Sequence, residues 1–306
     1  MPELPEVETI RRHLAPQVEG RVLARLEVLD ERWCRPLTGE EIAAACDGRR
    51  VERLGRRGKY LVWELEDDVH LMLHLRMTGT LLLDPPEPPA HRRVRFSFAD
   101  GPTVWFDDPR RFGTGELALG GPARSAFFAA RLGVEPFSPE FTSAHVFALA
   151  RASRAPVKAF LLDQSKVAGV GNIYADEALF RAGIHPLRPA NRLTRRQCVA
   201  LRDAVIVSLE AGIAAKGASI DDFRHPDGVQ GSFQDRFLVH RREGEPCPVC
   251  GRAIRKLRAA GRGTYACETC QPRPRARRAD AQAAARRSAS RPARSAAASS
   301  WKPPSG

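Results

Sequence analysis

The sequence predicts an α+β protein, on three observations. Between about residues 21 and 120, short stretches alternate polar with apolar residues or run apolar, the patterning of strands. From Pro156 to about Gly217 the apolar residues recur at i, i+3, i+4 and i+7, the patterning of helices. Beyond them CPVC and CETC form a C-x2-C-x16-C-x2-C array, Cys247, Cys250, Cys267 and Cys270.

The chain opens MPELPEVETI. A secretory signal would need a basic start, an apolar run and a small-residue cleavage site, and this stretch has none of them. Glu3, Glu6 and Glu8 suit the acidic first turn of a helix, with Pro5 near its start and Val7, Ile10 and Leu14 along one face. RVLARLEVLD, KYLVWELE, HLMLHLRM, TLLLD, RVRFSFAD and TVWFDD follow as strands of a sandwich or barrel, with DPPEPPAHRR around residues 84–93 as a loop. Pro156 is placed at N1 of a helix carrying Val157, Phe160 and Leu161 and ending at Gly169. A second helix after GVGN carries Ala175, Ala178, Leu179 and Ala182 and stops at Gly183. Thr194 and Gln197 make a capping box for a third, with Cys198, Leu201, Val205 and Leu209 inward and an end near Gly217.

The cysteine array places four thiolates around one tetrahedral zinc ion, a redox or disulfide pair being the alternative. With all four ligands cysteine, no position stays open for water, so the zinc is structural. Cys34, Cys46 and Cys198 are scattered and read as buried thiols, and the pattern suits a reducing, cytoplasmic compartment. No run of 18 apolar residues exists to span a membrane.

The net charge of +13 points to a polyanionic partner. Residues 273–306 carry nine Lys or Arg and one Asp; removing that +8 leaves +5 on the remaining 272 residues. This tail, rich in Ala, Arg, Ser and Pro, cannot bury enough surface to offset its ordering entropy and is expected to be disordered.

Three stretches bear on chemistry. In QSKVAGVGNIYADE, Gly169 and Gly171 make a tight turn and Asn172 stands where a helix begins, a place whose free N–H groups suit a phosphate or simply an N-cap. Lys59 follows Gly58 at the mouth of a strand. DDPRRFGTG sets Arg110, Arg111 and Phe112 in a turn and HLRMTGTL sets His74 and Met77 at a strand end, apolar tips beside arginines of the kind that unstack a base pair.

PELPEV, RRGKYL, HLRMTG, DPRRFG, GVGNIYADEALFRAGIHP and CPVCG…GRGTYACETCQ together resemble the bacterial formamidopyrimidine-DNA glycosylase family, in order and spacing, from residue 1 to about 271. The resemblance implies an N-terminal β-sandwich domain (1–133), a helix-two-turn-helix DNA-binding domain (134–236) and a zinc-finger β-hairpin (237–271), with the basic tail (272–306) outside it. It implies a monomeric bifunctional DNA glycosylase and abasic-site lyase on double-stranded DNA carrying oxidised purines, 8-oxoguanine and formamidopyrimidines, in a bacterial cytoplasm at the nucleoid. It implies further that the methionine is removed and that the secondary amine of Pro2 attacks C1′ of the damaged nucleotide. An α-amine with a pKa of about 7.7–8.0 is roughly a fifth neutral near pH 7.3, whereas a free lysine is neutral only about once in a thousand.

By the same resemblance Glu3 is the general acid and base at the deoxyribose, Lys59 assists β-elimination at the lesion phosphate, and Arg262 grips flanking phosphates and assists δ-elimination. Asn172 binds phosphate; His74, His91, Arg110 and Arg154 are further DNA contacts; Met77, Arg110 and Phe112 fill the gap left by the everted base. Arg76 stands where glycine is common in the family, and His240 and Arg241 where Tyr-Gly is common. SIDDFRHPDGVQGSFQ, residues 219–234, matches the segment that closes over the lesion. The alternatives are an endonuclease VIII-type enzyme for oxidised pyrimidines and a zinc-finger DNA-binding protein without catalysis.

Each tail cation that meets a phosphate contributes up to about 0.9 to the salt slope of duplex binding, and three to five of the nine are expected to count at once. Removing residues 273–306 is therefore expected to flatten log K against log salt by roughly three to four units. Single-turnover excision at saturating enzyme is expected to hold; an unchanged slope would make the tail an inert extension.

Overall fold

The computed structural model describes residues 1–219 and 231–274. The expected basic tail beyond residue 274 and most of the 219–234 segment lie outside the described residues.

Helix α1 (Leu4–Val18) leads into two antiparallel four-stranded sheets. The first has the order β1 (Leu23–Val28), β6 (Arg92–Phe98), β7 (Thr103–Asp107), β5 (Thr80–Leu83). The second has the order β2 (Val51–Arg57), β3 (Tyr60–Leu65), β4 (Val69–His74), β8 (Thr114–Leu119). Leu26, Val94, Phe96 and Phe106 of one sheet share a core with Leu54, Leu61, Trp63 and Leu71 of the other. Trp63 lies flat on Phe96 across the interface, ring centroids 4.9 Å apart. The strand-rich half is thus a sandwich, not a barrel. The six strands expected from patterning are present. β2, β8 and the helices α2 (Gly39–Cys46), α3 (Gly121–Ala129) and α4 (Ser143–Arg151) were not read from the sequence.

A second core belongs to the helices α5 (Val157–Leu162), α6 (Asn172–Arg181) and α7 (Arg195–Ala214). α7 starts at the Thr194–Gln197 capping box and buries Cys198, Leu201, Val205 and Leu209 as the period predicts. α5 departs from expectation twice. Pro156 is its N-cap rather than N1, and the helix ends at Leu162 instead of running to Gly169. The reason is local competition for the backbone. Asp163 accepts from the Ser165 amide, while the Gln164 side chain donates to the Leu162 and Val170 carbonyls and accepts from the Gly169 amide. α6 begins one residue earlier than an Asn172 cap would place it, with Gly171 as N-cap.

α1 joins the two cores. Val7, Ile10 and Leu14 pack into the sandwich, whereas Leu4 packs into the helical core. Each such side chain contributes about 1.5–3 kcal/mol on full burial. The chain's first residues are thereby held where the two halves meet. β9 (Arg255–Ala259) and β10 (Arg262–Ala266) form the C-terminal hairpin, turned by Ala260 and Gly261 at φ 51° and 73°. Two successive positive φ values are what a type I′ hairpin turn demands.

Glu8 on α1 is buried, which alone would raise its pKa. Hydrogen bonds from Arg11 and Arg12 and the charges of Arg11 and Arg56 outweigh burial and hold it at about 2. A carboxylate depressed in the fold adds stability above its unfolded pKa and loses it as the pH falls through the folded one. Glu8→Gln is expected to destabilise by up to about 3 kcal/mol at pH 7, the difference shrinking to nothing between about pH 4.5 and pH 2. Urea unfolding of both proteins across that range checks it.

Candidate active site and nucleic-acid interface

Pro2 is buried, and next to it Glu3 is the N-cap of α1. The Glu3 carboxylate turns away from its own helix to the N-terminus of α6, accepting from the amides of Ile173 at 3.0 Å and Tyr174 at 3.5 Å. A helix N-terminus offers unpaired donors and a positive dipole end, so an anion is favoured there. The GVGN turn makes the approach possible. A Cβ on Gly171 would fall 2.2 Å from the Glu3 carboxyl carbon, and the Leu4 amide donates to the Gly169 carbonyl at 3.1 Å.

Glu6 lies beneath. It accepts from the Glu3 amide, the Tyr174 hydroxyl and the Ala218 amide, each at 2.8 Å. Its pKa is raised by burial first and by the charge of Glu3 second. Lys59, at the turn between β2 and β3, is buried, and burial lowers its pKa; the positive Arg262 lowers it further, while Glu3 and Glu6 oppose. The buried amine thus lies in the field of two carboxylates and a guanidinium.

Arg262 stands exposed at the start of β10. Its neighbour Gly263 is held from two helices: Asn172 Nδ2 donates to the Gly263 carbonyl at 3.2 Å and Lys158 Nζ at 3.1 Å. Lys158 is wholly buried and also donates to Asp176 at 2.7 Å and to the Thr264 hydroxyl at 2.9 Å. His240 Nδ1 sits 2.8 Å from the other Asp176 oxygen, and Glu177 accepts from the amides of Leu238, Val239 and His240. Lys158, Asp176, Glu177, Glu6 and Tyr174 were not singled out in the sequence as site residues.

The four cysteine sulfurs lie within 4.8 Å of one another, with Cys247–Cys270 at 3.8 Å and Cys250–Cys267 at 3.5 Å. Zinc–sulfur bonds of about 2.3 Å at tetrahedral angles separate sulfurs by about 3.8 Å, so the donor set fits one structural zinc ion. Gln271 locks the module to the helical domain, accepting from the Cys267 amide and donating to the Ile184 carbonyl. Cys34, Cys46 and Cys198 are buried, as read.

Met77 and Phe112 line one groove of about 630 Å³, and the Arg110 guanidinium lies over the Phe112 ring at 4.8 Å. Their two loops are held by Asp108, which is fully buried and accepts from the Thr78 hydroxyl and the amides of Arg110, Phe112 and Gly113. Phe112 is left 48% exposed, with its backbone fixed. Arg76 has φ 56° and Arg241 φ 60°, so both arginines hold a left-handed backbone of the kind that favours glycine.

His74 is buried with its pKa pushed down to about 3 by burial first and then by Arg76 and Lys59. Its Nδ1 accepts from the Arg76 amide at 2.9 Å, so the proton of the neutral ring is on Nε2. His91 and Arg154 are exposed, the first beside Asp107 before β6 and the second between α4 and α5. The structure thus draws Glu3, Lys59, Asn172 and Arg262 together at the head of α6, and the groove lined by Met77 and Phe112 takes in Met1 as well.

A buried Pro2 at the start of the chain, a sandwich followed by a helical domain, and a four-cysteine hairpin carrying an exposed arginine define a nucleic-acid-processing protein of the helix-two-turn-helix class. Three family models match: the formamidopyrimidine-DNA glycosylase N-terminal domain (residues 1–115), the formamidopyrimidine-DNA glycosylase H2TH domain (132–224) and the zinc finger found in FPG and IleRS (244–273). The chain belongs to the formamidopyrimidine-DNA glycosylase family.

Among its relatives, the formamidopyrimidine-DNA glycosylase of Chloroflexus aurantiacus is 44% identical over 275 residues, covering 89% of this chain and 98% of the relative. That of Thermus thermophilus is 45% identical over 277 residues with the same coverage. The crystal structure of the MutM (Fpg) protein from Thermus thermophilus superposes with a TM-score of 0.81 at 43% identity, over 90% of this chain and 100% of that one. The complex of a Lactococcus lactis Fpg mutant with Fapy-dG-containing DNA gives 0.82 at 36% identity, over 89% and 100%. No helix among the described residues is long and apolar enough to cross a membrane.

Four thiolates hold zinc with a free energy on the order of 10 kcal/mol, and the hairpin has a small core of its own. Cys247→Ser is expected to abolish zinc binding, unfold the hairpin and disable duplex binding through Arg262, leaving the first 235 residues folded. Zinc content, circular dichroism and duplex affinity measured on one preparation check it; full affinity without zinc would overturn it.

Proposed function

We propose that this protein is a base-excision-repair DNA glycosylase that removes oxidised purines, 8-oxoguanine and formamidopyrimidines, and cleaves the resulting abasic site as a lyase by β,δ-elimination. The observation that carries the reading is the Glu3 carboxylate seated on the first amides of α6, directly beside Pro2.

Once Met1 is removed, the Pro2 nitrogen attacks C1′ and the damaged base departs with the bonding pair; the nitrogen gives up its proton, and the C1′–O4′ bond then breaks as O4′ takes a proton, opening the sugar and leaving an iminium. That cation acidifies C2′, and loss of its proton expels the 3′ phosphate; a second elimination expels the 5′ phosphate. Glu3, adjacent to the amine and fixed by two amides, is the group that exchanges protons with the deoxyribose oxygen and C2′. Lys59 holds the lesion phosphate and assists the first elimination. Arg262, on a hairpin pinned by Asn172 and Lys158, grips the flanking phosphate and assists the second. Asn172, His74, His91, Arg110 and Arg154 are DNA contacts, His74 as a neutral Nε2–H donor. Met77, Arg110 and Phe112 fill the gap of the everted base, their loops held ready by Asp108.

The boundaries proposed are a sandwich domain to residue 133, a helical domain to 236 and a zinc finger to 271, with the tail beyond. The site of action is the bacterial cytoplasm, at the nucleoid, as a monomer. A second reading has one observation behind it: a Lactococcus lactis Fpg, 36% identical, was crystallised with oxidised-pyrimidine-containing DNA. Excision rates on matched oxidised purine and pyrimidine duplexes decide between the two.

Borohydride reduction on an abasic duplex is expected to trap a covalent adduct that mass spectrometry places on Pro2. Pro2→Gly is expected to cut base excision by at least tenfold, and a retained Met1 to abolish trapping. An adduct on Lys59 in the unmodified protein would reassign the nucleophile, and no adduct at all would leave a binding protein without catalysis.

A further inference from the structure

Six arginines meet where the end of α4, the start of α5 and the turn Ala190–Arg192 come together: Arg151, Arg154, Arg188, Arg192, Arg195 and Arg196. Backbone pairing brings them there. The Ala190 amide donates to the Ala155 carbonyl at 2.9 Å, Asn191 to Ser153 at 2.9 Å and Val157 to Arg188 at 2.7 Å. Side-chain contacts then orient the cations. Arg151 donates to the Asn191 carbonyl at 2.9 Å, Arg188 to the Arg192 carbonyl at 3.2 Å, and Arg195 lies over the Phe147 ring at 4.5 Å.

Several arginines of the sandwich are matched by acids: Arg56 with Glu8 and Glu135, Arg111 with Asp30, Arg53 with Glu64. At this corner Arg151, Arg154, Arg188, Arg195 and Arg196 pair with no carboxylate among the described residues. From Ala178 to Arg202 the chain has six arginines and neither Asp nor Glu. Clustered like charges repel in the folded state, and a polyanion relieves that repulsion while releasing its own counterions. The corner is also tied to the site through the interior, by the buried Lys158. The amide of Lys158, next to Val157, donates to the Pro186 carbonyl, and its ammonium reaches the Gly263 carbonyl beside Arg262.

We propose that this corner is a track for the phosphate backbone of the duplex flanking the lesion, extending the footprint beyond the residues that hold the damaged nucleotide. Arg154 alone of the six figured among the expected DNA contacts. The inference rests on the glycosylase reading for its ligand. Guanidiniums held by carbonyls and a ring keep further N–H donors for phosphate, with less rotamer entropy to lose.

The test uses the zinc-loaded full chain with Arg151, Arg195 and Arg196 changed together to Gln, and a second protein with the same three changed to Lys. Each is titrated against duplexes of about 12 and about 30 base pairs carrying an uncleavable abasic analogue, across a salt series. The Gln protein is expected to bind the long duplex at least tenfold more weakly, with a salt slope flatter by about two to three units, and to match the parent on the short one. The Lys protein is expected to recover most of the loss, since phosphate asks for charge there. Unchanged affinity of the Gln protein for the long duplex would overturn the proposal and leave the corner to an acidic protein segment. Equal losses on both lengths would also overturn it. Borohydride trapping of the parent on the short duplex, with a natural abasic site in place of the analogue, tests the glycosylase reading separately: its failure would sink that reading and leave the length dependence standing.

Discussion

The interaction on which the rest depends is the seating of the Glu3 carboxylate on the first turn of α6. The first six residues of that helix collect the molecule. Asn172 holds the hairpin, Ile173 and Tyr174 offer their amides to Glu3, the Tyr174 hydroxyl meets Glu6, Asp176 holds Lys158 and His240, and Glu177 caps the amides of residues 238–240. Burying so many charges is expensive unless each is paired and hydrogen-bonded. Here each carboxylate is hydrogen-bonded and Lys158 pairs with Asp176, and breaking that pair would leave its partner charged without compensation. That cost ties the sandwich, the helical domain and the zinc module to one geometry.

The apolar groups of the chain were legible because their spacing is a property of neighbours. Alternation found six of the eight sandwich strands, and the capping box found the start of α7. β2 escaped because VERLGRR buries only Val51, Leu54 and Gly55 and a register shift between Val51 and Arg53 breaks the alternation. The length of α5 was misjudged because the polar residues that end it, Asp163 and Gln164, are compatible with a helix until their backbone bonds are seen. The cysteine array was legible for the same reason as the strands, since two C-x2-C turns encode their own geometry.

Buried charges are the opposite case. Lys158, Asp176 and Glu177 look like ordinary surface residues of helices, and their partners lie 18 to 106 positions away along the chain. Nothing local marks them. The functional residues named from family likeness are similar: the chain's order says nothing of why Glu3 and Asn172 meet, and only the fold puts both at the head of one helix. The two arginines at glycine positions were visible as departures, but their left-handed backbone was not.

The contact between Glu3 and Ile173 spans 170 positions, and that between Glu6 and Ala218 spans 212. The ribosome therefore makes Glu3 and Glu6 long before the residues that seat them. While the chain is being built, the two carboxylates at its start have no partners to receive their charge. A chain cut short before those positions would leave the Glu3 and Glu6 carboxylates without the amides that hold them.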